Sequence, residues 1–231
     1  AALDPAPQGV ILASPANPTG TIIPKDELAA IAEVCRERGI TMISDEIYHG
    51  ISYGQPTPSM LEVMPEALVV NSFSKYFSMA GWRLGWVVVP KDGIDAARAR
   101  MGNLFLTPPS LAQHAGAVAM DCTEELEANI RTYARNRELL LAALPGMGLG
   151  RTAPPDGAFY IYADVSDFTD DAMELCQQLL EATGVATAPG KDFDPVDGHR
   201  FMRISFAVST PEVEEAIRRI GPWFAGRNRR G

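Results

Sequence analysis

Residues 10–43, VILASPANPTGTIIPKDELAAIAEVCRERGITMI, hold a strand, a helix and a second strand in one unbroken run. Val10-Ile11-Leu12-Ala13 is apolar on both faces and is stopped by Ser14-Pro15. After Pro24, the stretch Lys25 to Arg38 places Leu28, Ile31, Ala32 and Cys35 on one helical stripe. Asp26 and Glu27 in its first turn and Arg36 and Arg38 in its last suit the helix dipole, and Gly39 ends it. Ile40-Thr41-Met42-Ile43 then repeats the strand pattern. Strands apolar on both faces need cover on both sides, and a helix between two of them allows parallel pairing.

Further along, Leu68-Val69-Val70 and Trp86-Val87-Val88-Val89, closed by Pro90, continue the series. The expected fold is α/β, a mostly parallel sheet with helices on both faces. From about residue 121 the texture changes. Thr123 to Leu144 reads as a long helix closed by Pro145-Gly146, and Phe159 to Tyr162 as a strand. Asp170 to Thr183 is a helix ending at Gly184, Phe201 to Ala207 a strand, and Pro211 to Phe224 an amphipathic helix carrying Val213, Ile217, Ile220 and Phe224. We therefore expect a partial large domain over residues 1–120 and a C-terminal α+β small domain over 121–231.

Composition narrows the function classes. With 231 residues, 46% hydrophobic and 21% charged, the chain can bury a substantial core and has no disordered bias. A net charge of −9 argues against nucleic acid as the main partner. The basic cluster Arg227-Asn228-Arg229-Arg230 reads as a solvated tail. No apolar stretch approaches the roughly 18 residues of a membrane span. Cys35, Cys122 and Cys176 show no metal or disulfide spacing, which favours a reducing compartment such as the cytoplasm, and Cys35 is expected to be buried on its helix. The start, Ala1 to Pro5, has neither an initiator Met nor a secretory pattern, and reads as if it began inside a domain.

Ligands of open α/β sheets gather beyond the carboxyl ends of the strands. There the sequence places Asn17 after the first strand, Asp45 and Tyr48 after the second, and Ser72, Ser74, Lys75 and then Arg83 after the third. Taken singly these residues have ordinary readings: a turn at Asn17-Pro18-Thr19-Gly20, a helix cap at Asp45, packing at Tyr48, a surface lysine, an ion-pairing arginine. Together they make a chemical set. A lysine of lowered pKa attacks carbonyls, hydroxyls with a guanidinium suit a phosphate, and a carboxylate can hold a heteroaromatic nitrogen protonated. Such a set suits pyridoxal 5'-phosphate better than other common cofactors.

Three of these segments, Ala16 to Gly20, Asp45 to Tyr48 and Ser72 to Gly85, together with Phe201 to Ala207, resemble the signatures of class I/II aminotransferases, the fold type I pyridoxal-phosphate enzymes, in that family's order. The resemblance implies the following roles. Lys75 carries the cofactor Schiff base and shuttles the Cα proton, Asp45 pairs with the pyridinium nitrogen, and Tyr48 and Asn17 bind the cofactor's O3′. Ser72, Ser74 and Arg83 hold the phosphate, and Arg203 grips the substrate α-carboxylate, with Asn17 beside it. It implies amino-group transfer between an amino acid and a 2-oxo acid, and a homodimer. Lyases, aminocyclopropane-carboxylate synthase-like enzymes and pyridoxal-phosphate-sensing transcription regulators share the pattern.

Family members are longer at the N-terminus. The chain is therefore expected to be a fragment that exposes strand edges and by itself binds the cofactor weakly at most. Lys191, in Pro189 to Phe193, stands where the family often has a small hydroxyl residue, and Asp194-Pro195-Val196 replaces a more typical glycine turn. Of the histidines, His49 reads as a loop or rim residue, His114 as packed within a helix, and His199 as loop surface. Gly157 to Tyr160 resembles a segment near the family's substrate.

Overall fold

The computed structural model describes residues 7–227, so the N-terminal start and Asn228-Arg229-Arg230 of the basic cluster lie outside the described residues. Arg227 is not a loose end: it donates to Gln178 Oε1 at 2.7 Å, and its guanidinium carbon sits 4.3 Å from the Trp223 ring centre. The chain divides into two compact units. One runs to Pro15 and resumes over Ile22–Glu127; the other joins Ala16–Thr21 to the chain from Ala128 onward.

The first unit contains β1 (Gly9–Ala13), α1 (Lys25–Glu37), β2 (Thr41–Asp45), β3 (Leu68–Ser72), β4 (Gly85–Val88), α2 (Ile94–Phe105) and α3 (Ser110–Ala119). Its sheet has the order β1-β2-β3-β4. β1 with β2 and β2 with β3 are parallel, as both-face apolarity predicts, whereas β4 runs antiparallel to β3. The reason lies in the connection, whose only helical piece is the three-residue 3-10 turn Ala80–Trp82; lacking a crossover helix, the chain reverses. The stripe of α1 lands as expected: Leu28, Ala32 and Cys35 join Ile40, Met42, Met60, Met64, Ala67 and Val69 in one buried cluster.

The expected exposed edges are present. β1 and β4 are the outer strands, and Ile11 on β1 is 72% exposed. α2 buries no residue, and Leu104 and Leu106 are 73% and 88% exposed. α2 escaped the sequence reading, although Ile94, Ala97, Met101, Leu104 and Phe105 fall at helical spacing, and α3 was expected only as a helix around His114. His114 lies on α3 as expected but is exposed rather than packed. Ala112 and Gly116 form the buried side of that helix, where a Cβ on Gly116 would meet Leu84 at 2.6 Å and Phe73 at 3.3 Å.

α4 (Thr123–Ala143) begins in the first unit and continues into the second. There follow β5 (Tyr160–Asp164), α5 (Ala172–Thr183), the two-residue β6 (Ala188–Pro189), β7 (Phe201–Ser205) and α6 (Thr210–Ala225). The sheet order is β5-β7-β6, with both pairings antiparallel. Asp171 caps α5 by accepting from Met173 N and Glu174 N at 3.0 and 3.4 Å, and Gly184 ends it at φ 71°. Ser209 and Glu212 form a capping box ahead of α6, which buries Val213, Ile220 and Phe224.

The chain leaving β7 is held by a side chain that no pattern announces. Asn136 on α4 is fully buried, and its Nδ2 donates to the Phe206 and Val208 carbonyls at 3.1 and 2.8 Å. Asn136→Ala removes both hydrogen bonds, the one to the Phe206 carbonyl being buried, and an expected loss of about 2–3 kcal/mol of unfolding free energy follows. Urea denaturation checks this; a loss below about 0.5 kcal/mol contradicts the clamp.

Candidate active site

The parallel strands β1, β2 and β3 end at Ala13, Asp45 and Ser72. Ala13 pairs with Asp45, and Asp45 with Val70, so their carboxyl ends open on one rim. β4 enters that rim from the opposite direction, with Gly85 opposite Ser72. Pairing continues one step further: Phe73 N donates to the Leu84 carbonyl at 3.1 Å, and the Ser72 hydroxyl lies 3.0 Å from the same oxygen. Antiparallel reversal is therefore what returns Arg83 to the serine–lysine loop.

At the end of β2, burial alternates. Met42, Ser44, Glu46 and Tyr48 are buried, while Asp45 and Ile47 face the other way and are half-buried. Asp45 caps no helix; its Oδ1 accepts from Ile47 N at 3.1 Å and tightens the turn that carries Tyr48. Tyr48 is only 4% exposed, and the Lys75 Nζ lies 5.7 Å from the centre of its ring. The lysine and the phenol, 27 positions apart in sequence, thus meet on the rim.

The Ser72 and Ser74 hydroxyl oxygens are 2.9 Å apart, and Ser74 N donates to Ser72 Oγ at 3.0 Å. Arg83 is exposed, adopts left-handed backbone angles (φ 55°, ψ 48°), and donates from Nη1 to the Ala80 carbonyl at 3.0 Å. Ser78 in the same loop also has φ 55°. Two non-glycine residues in this region cost about 1–2 kcal/mol each, a strain that clusters at ligand-binding loops.

Two residues behind this rim were missed by the sequence reading. Glu46 is buried, and its Oε1 accepts from the Ser44 and Ser59 hydroxyls and from Met60 N at 3.1, 2.9 and 2.8 Å. The strand alternation that buries Met42 and Ser44 was the available signal. Tyr76, next to Lys75, packs its ring on Gly50, where a Cβ would come within 2.5 Å of Cδ2. Its hydroxyl donates to Glu127 Oε1 at 2.8 Å; burial, and then the carboxylate, push the phenol up to about 12.

The second unit holds the other two predicted residues together. Arg203 on β7 donates from Nη1 to Asn17 Oδ1 at 2.7 Å. Its guanidinium carbon is sandwiched 4.3 Å from the Tyr160 ring centre and 4.4 Å from that of Phe193, and its Nε is buried without a partner. Stacking on aromatic faces leaves only the planar edge of the fork for further ligands. The Asn17 turn is seated by Gly157 N, which donates to the Gly20 carbonyl at 2.7 Å, and by Gly20 itself, whose φ of 75° and 2.8 Å clearance to Gly157 O admit no Cβ. The adjoining Ala158 sits at φ 55°. Lys191 is drawn to the cap of α5, 3.3 Å from Asp171 Oδ1. His199 lies in the 3-10 turn Gly198–Arg200, its Nδ1 3.1 Å from the Val196 carbonyl.

Among the described residues no cluster of metal-ligating side chains occurs, and no helix is long and apolar enough to cross a membrane.

The sequence signature described as "Aminotransferase class I and II" matches residues 1–220. The chain is 52% identical over 228 residues to the valine–pyruvate aminotransferase of Mycobacterium tuberculosis, covering 97% of this chain and 59% of that protein. It is 36% identical over 224 residues to the aspartate/prephenate aminotransferase of Thermus thermophilus, covering 95% and 57%. Among solved structures, an aminotransferase from M. tuberculosis superposes with a TM-score of 0.93 at 52% identity, covering 97% of this chain and 59% of that one. A second, described as a putative aminotransferase from Silicibacter pomeroyi, gives 0.93 at 47%, covering 95% and 59%. The chain thus spans somewhat under three fifths of the length of these relatives. Strand order, rim residues and similarity over nearly the whole of this sequence agree: the chain belongs to the class I and II aminotransferase family.

Proposed function

We propose that the full-length protein is an aminotransferase that uses pyridoxal 5'-phosphate to move an amino group between an amino acid and a 2-oxo acid, with Lys75 as the Schiff-base residue. The observation that carries this is Lys75 Nζ lying 5.7 Å from the ring of buried Tyr48, on a rim shared with Asp45, Ser72 and Ser74. The donor set fits the cofactor group by group. Arg83 and the paired Ser72 and Ser74 hydroxyls match a phosphate, Asp45 an aromatic N–H, Tyr48 a phenolic oxygen, and Lys75 an aldehyde.

When bound, the cofactor supplies an electron-withdrawing ring that accommodates the electron pair left at the substrate Cα. The chain's own residues do the rest. Lys75 Nζ would take the proton from the substrate Cα and hold it for return. Asp45 would pair with the ring nitrogen and favour its protonated form. Arg203, held flat by Tyr160 and Phe193, orients the α-carboxylate, and Asn17 braces its Nη1.

We read residues 1–120 as a partial cofactor-binding domain and 121–231 as the small domain, in a homodimer of the cytoplasm whose partners are small molecules rather than nucleic acid or membrane. The cysteines, all free, support the reducing compartment. The relative's name makes valine with pyruvate the first pair to assay. Full-length protein mixed with pyridoxal 5'-phosphate and single amino acids is expected to yield pyridoxamine phosphate and the matching oxo acid. Ammonia and pyruvate in their place identify a lyase, and neither outcome with any amino acid defeats the enzyme reading.

A further inference from the structure

His49 follows Tyr48 directly, yet the mechanism above does not use it. Its side chain is 18% exposed, and both ring nitrogens face acceptors: Nδ1 lies 3.3 Å from Glu46 Oε2, and Nε2 3.1 Å from the Ser14 carbonyl oxygen. Ser14 is buried and continues β1 beyond its last residue, its N–H donating to the Asp45 carbonyl at 3.2 Å. Glu46 is fixed in turn, because its other oxygen takes three hydrogen bonds from Ser44, Ser59 and Met60. The ring therefore ties a rigid carboxylate, placed between Asp45 and Tyr48, to the end of the neighbouring strand. We propose that His49 is a positioning residue, bridging Glu46 and the Ser14 carbonyl so as to hold the loop that presents Asp45 and Tyr48. This deepens the proposed function and rests on it.

The bridge has a chemical consequence. A neutral imidazole carries one N–H and satisfies one of the two acceptors; a proton between Nδ1 and Oε2 satisfies the other. The charges facing the ring are Glu46 from its own loop and Glu62 from the 3-10 turn Met60–Glu62, itself paired with Lys25 of α1 at 2.7 Å. Burial holds the imidazole below its ordinary proton affinity, while Glu46 draws it back up. Proton uptake by the imidazole puts a hydrogen on both ring nitrogens and completes the bridge. Cofactor affinity then contains a step that strengthens as pH falls through the titration of the imidazole.

The test uses full-length protein. Borohydride trapping on wild type comes first: if no cofactor is captured at Lys75, the underlying reading fails and this inference falls with it. Given capture, the dissociation constant of pyridoxal 5'-phosphate is measured against pH for wild type, His49→Phe and His49→Gln, with melting midpoints of the apoproteins. We expect His49→Phe to weaken binding about tenfold and His49→Gln, whose amide reaches Ser14, to recover most of it. The pH step is expected to vanish in both, with melting midpoints within a few degrees of wild type. If His49→Phe keeps wild-type affinity and its pH step, the proposal is overturned. Should that variant not fold, Glu46→Gln decides: losing the step supports the bridge, and keeping it refutes it.

Discussion

Lys75→Ala in the full-length protein is expected to lower transamination by at least about 10³-fold, because it removes both the attaching amine and the proton carrier at Cα; proton transfer by a placed side chain alone contributes roughly 10²–10⁴-fold. The structural ground is specific. The amine stands over the Tyr48 ring at 5.7 Å, and its loop is anchored by Tyr76 against Gly50 and by the Ser72–Ser74 pair, so an alanine leaves the surrounding geometry in place. Wild-type protein treated with borohydride and digested should carry the cofactor mass on the peptide containing residue 75, and the variant should carry none. A reducible adduct that persists at the site in the variant removes Lys75 from the central role.

The second large effect is expected at Arg203. Arg203→Gln should cost about 3–5 kcal/mol in kcat/KM, or roughly 10²–10⁴-fold, the worth of two charge-assisted hydrogen bonds to a carboxylate. Arg203→Lys is not expected to rescue it, since an ammonium is not flat and cannot occupy the slot between Tyr160 and Phe193 while presenting a fork. The cofactor's visible spectrum should stay unchanged, which separates a lost substrate contact from a damaged cofactor site. Amines lacking a carboxylate give the sharpest check: their turnover should hardly change between wild type and Arg203→Gln. A uniform loss for amines and amino acids alike would mean that Arg203 supports the fold rather than the carboxylate.

Much of this was legible beforehand because strands apolar on both faces, alternating with a capped amphipathic helix, admit few arrangements. Lys25 to Arg38 carried stripe, end charges and a glycine stop together, and the structure places α1 over Lys25–Glu37. Asp45, Ser72 and Lys75 were legible for a related reason. In a parallel sheet the polar residues that end successive strands share a rim. His114 was misjudged because helical periodicity alone does not say which side of a helix is covered; Ala112 and Gly116 take the covered side, against Phe73 and Leu84. Glu46 was passed over because an acidic residue at a strand end reads as exposed until its donors are known. Those donors, Ser59 and Met60, lie on a separate 3-10 turn.

Sequence by itself determined the α/β class and the polar residues that end the strands, since both follow from local pattern, and the family through the resemblance of its motifs in order along the chain. Tertiary structure alone decided the direction of β4, and with it the return of Arg83 to the serine–lysine loop. It alone paired Asn17 with Arg203 across 186 positions and flattened that arginine between two rings. It alone gave His49 its two acceptors. Hydrogen bonds and ring contacts depend on distances of a few ångströms between segments far apart in sequence, and periodicity carries no information about which distant segments meet.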